Sequence, residues 1–302
     1  MQSLIRGWSF LKQAWQMALR DRDLLKPSIF ALIVNSIVTI LGLIPLIGAA
    51  LLLDGSTGIG QAVMGVIGAT LLFAQYVVGY VFSGMTVYLI YGFLAEGDGR
   101  LDAAWNKVRR EFWDIVSLAA ASTAVKLVAN SLRKRTRRGG GAAAVGGLAA
   151  GILETVWTEA AYLILPAIMI EDANLPGGIK RATQIVKDNL LLIGVSTVGV
   201  RWITGLIGFI SAVVGLIIGG GLGYGIISAL GSSTAGLILG IGIGALVFFG
   251  LVVVSSLVNS YTTTAYHTCL FLWARDVEKA RAQGQTIAVA APAPLRAALS
   301  GD

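Results

Sequence analysis

The sequence predicts an all-α polytopic membrane protein, with six transmembrane helices as three hairpins, each preceded by an amphipathic interfacial helix. Three observations predict it. The chain is 56% hydrophobic and only 13% charged, whereas a soluble domain carries about a quarter charged residues. Apolar runs of the roughly 20 residues that a spanning helix needs recur along it. Arg201 is the only Lys or Arg between Asn189 and Ala274, and no acid falls there.

The elements follow in order. The first span is Ser28–Leu53, uncharged, with Pro45 as an expected kink. The second lies within Ala62–Ala95, whose 34 residues exceed one straight crossing and predict tilt or extension beyond the bilayer. The third, Ile115–Leu132, contains Lys126. The fourth lies within Ala142–Ile170 and contains Glu154, Glu159 and Pro166. The fifth runs from about Leu190 to Ile218 and the sixth from about Gly236 to Ala274. A single transmembrane domain then covers 1–275, with candidate repeats 1–95, 96–170 and 171–275. Residues 276–302 read as a flexible, Ala/Pro-rich cytoplasmic tail in which Leu295–Leu299 suits a short docking helix.

Basic residues set the orientation. With the N-terminus inside, the cytoplasmic segments hold five, four, three and four Lys/Arg, sixteen in all, against five outside. This predicts a multi-pass protein of the cell (inner) membrane with both termini cytoplasmic. All five outer residues sit in Arg133–Arg138 (RKRTRR), which leaves open a re-entrant pair in place of the third and fourth spans. Residues 1–27 lack a short apolar segment with a small-residue cleavage site, so the first span is expected to act as its own insertion signal.

A basic amphipathic stretch precedes the first, third and fifth spans: Leu11–Leu25, Leu101–Val116 and Leu175–Leu191. The last two align without gaps at an offset of 74, so that Leu101 meets Leu175, Trp105 meets Ile179, Val108 meets Ala182 and Phe112 meets Val186. Steps of three and four place these on one helical face. Trp15, Trp105 and Trp113 fall in such stretches and Trp8 just before the first, as a belt of interfacial helices predicts. Internal repeats are common in transporters, although any cytoplasmic lead-in to a span reads as basic and amphipathic.

Ionisable residues inside spans are costly and become functional candidates. Four qualify: Lys126, Glu154, Glu159 and Arg201. Depth pairs Arg201 with Glu159, both about 17 Å from the cytoplasmic side, and pairs Lys126, six residues from the outer end of the third span, with Glu154 if Gly139–Gly147 is mostly loop. They form either a polar pathway or anion site, or two ion pairs that fix helix register. Complete neutralisation favours the ion pairs. Glu154 and Glu159 lie five apart, about 140° around the helix, which counts against a paired-carboxylate centre.

No catalytic or metal site emerges. His267 is the only histidine and reads as an interfacial polar residue near the end of the last span; Cys269 is the only cysteine. GGGLGYG (Gly219–Gly225) lacks the following Lys-Ser/Thr of a nucleotide loop. Gly215, Gly219 and Gly223 around the outer turn, and Gly236, Gly240 and Gly244, form small-residue ridges suited to close intramolecular packing, the favoured reading, or to an oligomer face.

One further pattern is carried by Trp157, Pro166, Glu171 and the basic Ile179–Lys187, with GWSFLKQAWQMALRDRDLLKPSIF (Gly7–Phe30) and AYHTCLFLWA (Ala265–Ala274). These resemble an uncharacterised family of prokaryotic six-span membrane proteins, defined only as a domain of unknown function. A looser similarity reaches the membrane domain attached to glycerophosphodiester phosphodiesterases. The resemblance covers most of the chain and implies a six-helix membrane fold without transferring an activity. The soluble phosphodiesterase domain and its metal-binding acids and histidines have no counterpart here.

The expectation is therefore an integral membrane protein without catalytic machinery, metal or cofactor: a membrane scaffold or accessory protein. Lys107, Arg109, Arg110, Lys180, Arg181 and Lys187 would contact lipid headgroups on the cytoplasmic face. The alternative is a small-solute or lipid transporter or channel that uses the intramembrane charges. A membrane-embedded hydrolase stands third, since the side chains for nucleophilic or metal catalysis are missing. Expected partners are membrane lipids and a membrane protein or a second copy of the chain. Nucleic acid is not expected, because the charge of +7 reflects the cytoplasmic excess of Lys and Arg.

Overall fold

The computed structural model describes residues 2–53, 58–136, 142–188, 190–231, 233–284 and 290–300. Side chains at 2–6, 135–145, 188–201 and 297–300 lie outside that description. The described residues form helices and connecting turns, with no strand among them. In order they are α1 (Gln2–Arg20), a 3-10 turn (Arg22–Leu24), α2 (Lys26–Leu52), α3 (Gly58–Glu96), α4 (Leu101–Arg110) and α5 (Phe112–Thr136). Then come α6 (Ala142–Glu171), α7 (Leu175–Asp188), α8 (Leu190–Ala229), α9 (Thr234–Ala282) and α10 (Ala293–Ser300). Among the described residues six helices are long and apolar enough to cross a membrane: α2, α3, α5, α6, α8 and α9. The chain is thus an all-α, multi-pass membrane protein of three hairpins. The shorter α1, α4 and α7 each lead into one of them.

The chain packs as two compact units. The first comprises Ala18–Leu190 and His267–Ala290, and so holds α2 to α7 with the last part of α9. Its α2–α3 hairpin is antiparallel: Phe30 stacks on Phe82 at 6.4 Å, and Gln75 donates to Thr39 at 3.0 Å. That register leaves the end of α3 beyond the start of α2, where Val87, Leu89 and Ile90 are fully buried. The excess length expected of the second span is therefore packed against protein. Outward faces of α2, such as Ile40, Ile44 and Leu51, stay exposed, as lipid-facing surfaces do. The helix runs through Pro45 without a break.

Both α4 and α7 begin where the 74-residue offset aligns them, at Leu101 and Leu175. α4 stops at Arg110 rather than continuing to Val116; Glu111 caps it, and α5 restarts at Phe112. Asp21, after α1, accepts from Gly99 N–H at 2.8 Å and ties the α1–α2 turn to the α3–α4 turn.

The second unit comprises Met1–Met17, Leu191–Tyr266 and Ala291–Asp302. Its α1 segment packs on α9: Tyr261 donates to the Ala14 carbonyl and Trp15 donates to Thr262, each at 3.2 Å. Phe10 meets Tyr266 edge-on at 5.4 Å. Here the structure corrects the expected end of the fifth span. α8 continues through GGGLGYG to Ala229, and the turn comes at Gly231, whose φ is +67°. The reason is close packing. A Cβ on Gly219 would stand 2.4 Å from the Gly244 carbonyl oxygen, and one on Gly223 would stand 2.7 Å from that of Gly240. Glycine weakens a helix in water. In lipid every backbone group must be paired internally, and small residues let helices touch.

In the tail, residues 276–282 continue α9 instead of leaving it at Ala274. The short helix expected over Leu295–Leu299 forms as α10, with Leu295 fully buried.

Candidate functional site

The first unit carries polar side chains at three levels. At the innermost, α5 and α6 face each other through Lys126 and Glu154, whose Nζ and Oε1 are 3.0 Å apart. Arg133 reaches the other carboxylate oxygen at 2.7 Å. The helices explain this meeting. Ser122, Lys126 and Arg133 share one face of α5, being four and seven residues apart, and Glu154 and Trp157 share one face of α6. One turn away, Ser122 Oγ bonds the Tyr80 hydroxyl at 2.7 Å and accepts from Trp157 Nε1 at 2.8 Å. Tyr76 stacks on Tyr80 with centroids 5.8 Å apart. α5 runs past Leu132 to Thr136. Lys126 therefore sits deeper than an end at Leu132 would put it, and Arg133 and Lys134 are helical residues rather than loop.

At the second level, His267 Nε2 and Glu159 Oε2 are 2.9 Å apart, and the Tyr162 ring stacks on the imidazole at 4.7 Å. His267 is only 3% exposed, so the histidine expected to be a lone interfacial residue is packed against protein, enclosed by Glu159 and Tyr162 of α6. The expected pairing of Glu159 with Arg201 lies outside the described residues, since only the backbone of Arg201 is described.

The third level lies at the end of α6. Arg181 of α7 makes a two-pronged contact with Glu171, at 3.0 and 3.2 Å, and reaches Glu278 of α9 at 2.5 Å. Its guanidinium also lies 5.7 Å from the Phe271 ring. Beside it, Lys107 of α4 binds Asp172 and lies 3.3 Å from Glu111. Lys107 and Arg181 are 74 residues apart, so they are the same position of the sequence repeat. Both are clamped by neighbouring acids, Asp172 and Glu171. Asp172 adopts φ +53°, a left-handed conformation that Asp tolerates better than most residues. It ends α6 and turns the chain toward α7.

Charge tuning follows from these contacts. Burial, and next the Asp172 carboxylate, push the Glu111 carboxyl above its usual range. Hydrogen bonds from Lys107 and then Glu111 hold Asp172 below its own. For Arg181, burial pulls downward, but Glu278 and Glu171 outweigh it and leave the guanidinium above the ordinary value.

Glu159 with His267, and Glu171 with Glu278 through Arg181, place α6 and the last part of α9 parallel and in register over about 17 Å. The arrangement holds helices together. Among the described residues no group of three or more His, Cys, Asp or Glu could hold a metal ion.

Of the expected headgroup contacts, Arg109, Arg110, Lys180 and Lys187 are exposed. Lys107 and Arg181 instead turn inward, drawn by the acids at the end of α6. Sequence reading missed Tyr80, Ser122, Tyr162 and His267 as members of the polar set. The spacing of Ser122 to Lys126 was a usable signal for one of them; nothing local marks His267, whose partner is 108 residues away.

Fold and geometry together define the class: a multi-pass α-helical membrane protein with cross-helix polar clamps. No protein-family model matches the chain, and neither does any curated protein.

Proposed function

We propose that this protein is a non-catalytic membrane scaffold or accessory protein, held in the inner membrane with both termini cytoplasmic and contacting lipid on that face. The observation that supports it is the use made of the intramembrane charges. Lys126 and Arg133 are taken by Glu154, and Glu159 by His267, each pair joining different helices. Side chains committed to one another fix helix register and resist rearrangement. The sixteen-to-five excess of Lys and Arg supports the orientation.

The test is reconstitution into proteoliposomes, with proton, potassium and chloride leakage and exchange of fluorescent phospholipid between leaflets as readouts. Rates equal to those of protein-free vesicles are expected. A flux abolished by Glu154→Gln or Glu159→Gln would replace this reading with a transporter or channel. That second reading draws on the polar run Tyr76, Tyr80, Ser122, Lys126 and Glu154, where the Lys126 side chain is 36% exposed.

A further inference from the structure

We propose that the outward face of α4 docks the headgroup of an acidic phospholipid, Arg109 and Arg110 taking the phosphate and Trp105 and Trp113 the surrounding interface. The inference rests on the lipid-contact reading above and narrows it from six basic residues on two helices to two on one.

The carrying observation is that α4 buries a Lys–Glu pair while leaving Trp105 beside Arg109 and Arg110 on its outward face. Its protein-facing stripe is Ala104, Lys107, Val108 and Glu111, each at most 7% exposed. Its outward stripe continues into α5 as Trp105 (41% exposed), Arg109, Phe112 (37%) and Trp113 (75%). Water would favour the reverse, with the indoles inside and the Lys–Glu pair out. Hydrocarbon would reject Arg109 and Arg110. The headgroup layer accepts both: tryptophan concentrates there, and cations meet anionic phosphate.

Charge and geometry select the phosphate. Arg109 lies 5.3 Å from the Trp105 ring, a cation–π contact that holds the guanidinium beside the indole at the exposed face. The acids nearby are engaged or set back. Asp102 binds Arg100 at 3.0 Å, Glu111 is buried against Lys107, Asp172, whose charge Arg110 feels, is bound by Lys107, and Asp114 is half-buried at the start of α5. The outward charge beside Trp105 and Trp113 is therefore positive. α7, its repeat partner, exposes Lys180 and Lys187 but carries no aromatic residue.

The experiment uses the full chain in vesicles of equal phosphatidylcholine and phosphatidylglycerol, with one or the other lipid brominated. The Trp113 signal is the fluorescence lost in Trp113→Phe. Brominated phosphatidylglycerol should quench it more than brominated phosphatidylcholine. Arg109→Gln with Arg110→Gln should remove that preference, by roughly five-fold per arginine, whereas Lys180→Gln with Lys187→Gln should leave it intact. An unchanged preference in the double-arginine variant, or a loss confined to the double-lysine variant, overturns the assignment to α4 while the wider lipid reading survives. Equal quenching by both lipids in the wild type overturns the proposal. If total phosphatidylglycerol retained by the purified protein also matches that retained by the arginine–lysine quadruple variant, the wider lipid reading falls with it.

Discussion

Replacing Lys107 by Met tests whether the end of α6 is a true clamp. The Lys107 and Glu111 side chains are 9% and 10% exposed, whereas that of Asp172 is 63% exposed. Methionine nearly matches the lysine stem in volume, so the loss is the charge. Breaking a buried pair by removing one partner costs about 3–5 kcal/mol. Two features place this case at or below the lower end. Asp172 recovers solvent, and Glu111, already pushed upward in pKa by burial, can relieve itself by taking a proton. A loss of about 2–3 kcal/mol is expected, against within about 0.5 kcal/mol for the exposed control Lys180→Met. Adding Glu111→Gln to Lys107→Met should return more than half of the loss.

The pH dependence has a definite sign. A carboxyl whose folded pKa is raised favours the folded state at low pH, and that contribution is lost as pH climbs from its unfolded value through the folded one. The Lys107→Met penalty should thus grow as the pH rises above 4.5, the ordinary glutamic acid value. Asp172, held low, acts oppositely: its contribution is present above 3.8 and lost as pH falls through the depressed value. Equilibrium unfolding of both proteins in mixed micelles, across a pH series, measures all of this. A Lys107→Met loss no larger than that of Lys180→Met, or a penalty that shrinks with rising pH, refutes the clamp.

Three more outcomes are expected. Gly219→Ala should cost about 1–3 kcal/mol by forcing α8 and α9 apart, while Gly220→Ala, with open space around it, should be neutral or stabilising by up to about 1 kcal/mol; thermal unfolding in nanodiscs separates them, and equal effects would deny the close glycine contact. Lys126→Met and Glu154→Gln should couple by at least about 0.5 kcal/mol in a double-mutant cycle, where strict additivity would deny the pair. In a Cys269→Ser background, cysteines placed at the exposed positions Lys12 and Lys279 should react with a membrane-impermeant maleimide only in inverted vesicles; labelling of intact cells would reverse the orientation.

Much of the architecture was legible because a bilayer imposes a length. Each of the six spans needs about 20 apolar residues, and each expected span lies in a distinct long helix. The ends of α8 and α9 were not legible. Glycine and serine signal a turn in water, yet here Gly219 and Gly223 pack against a facing glycine backbone that lies elsewhere in the chain. Lys126 and Glu154 could be matched by depth, since both lie on one hairpin whose register is nearly forced. Depth could not find His267, because its partner Glu159 lies 108 residues away and nothing in its own neighbourhood names it.

The repeat shows the division most plainly. An offset of 74 residues is a property of the sequence, and α4 and α7 start where it puts them. Periodicity by itself defines a helix face without saying which solvent that face meets. Only tertiary packing turned Lys107 and Arg181 inward, because Glu171 and Asp172, brought there by the end of α6, supply the carboxylates that make burying a cation tolerable. Composition and period determined that this chain lives in a membrane as three helical hairpins. The partners of its charges were decided in three dimensions, since an ion pair depends on a distance that the order of residues does not contain.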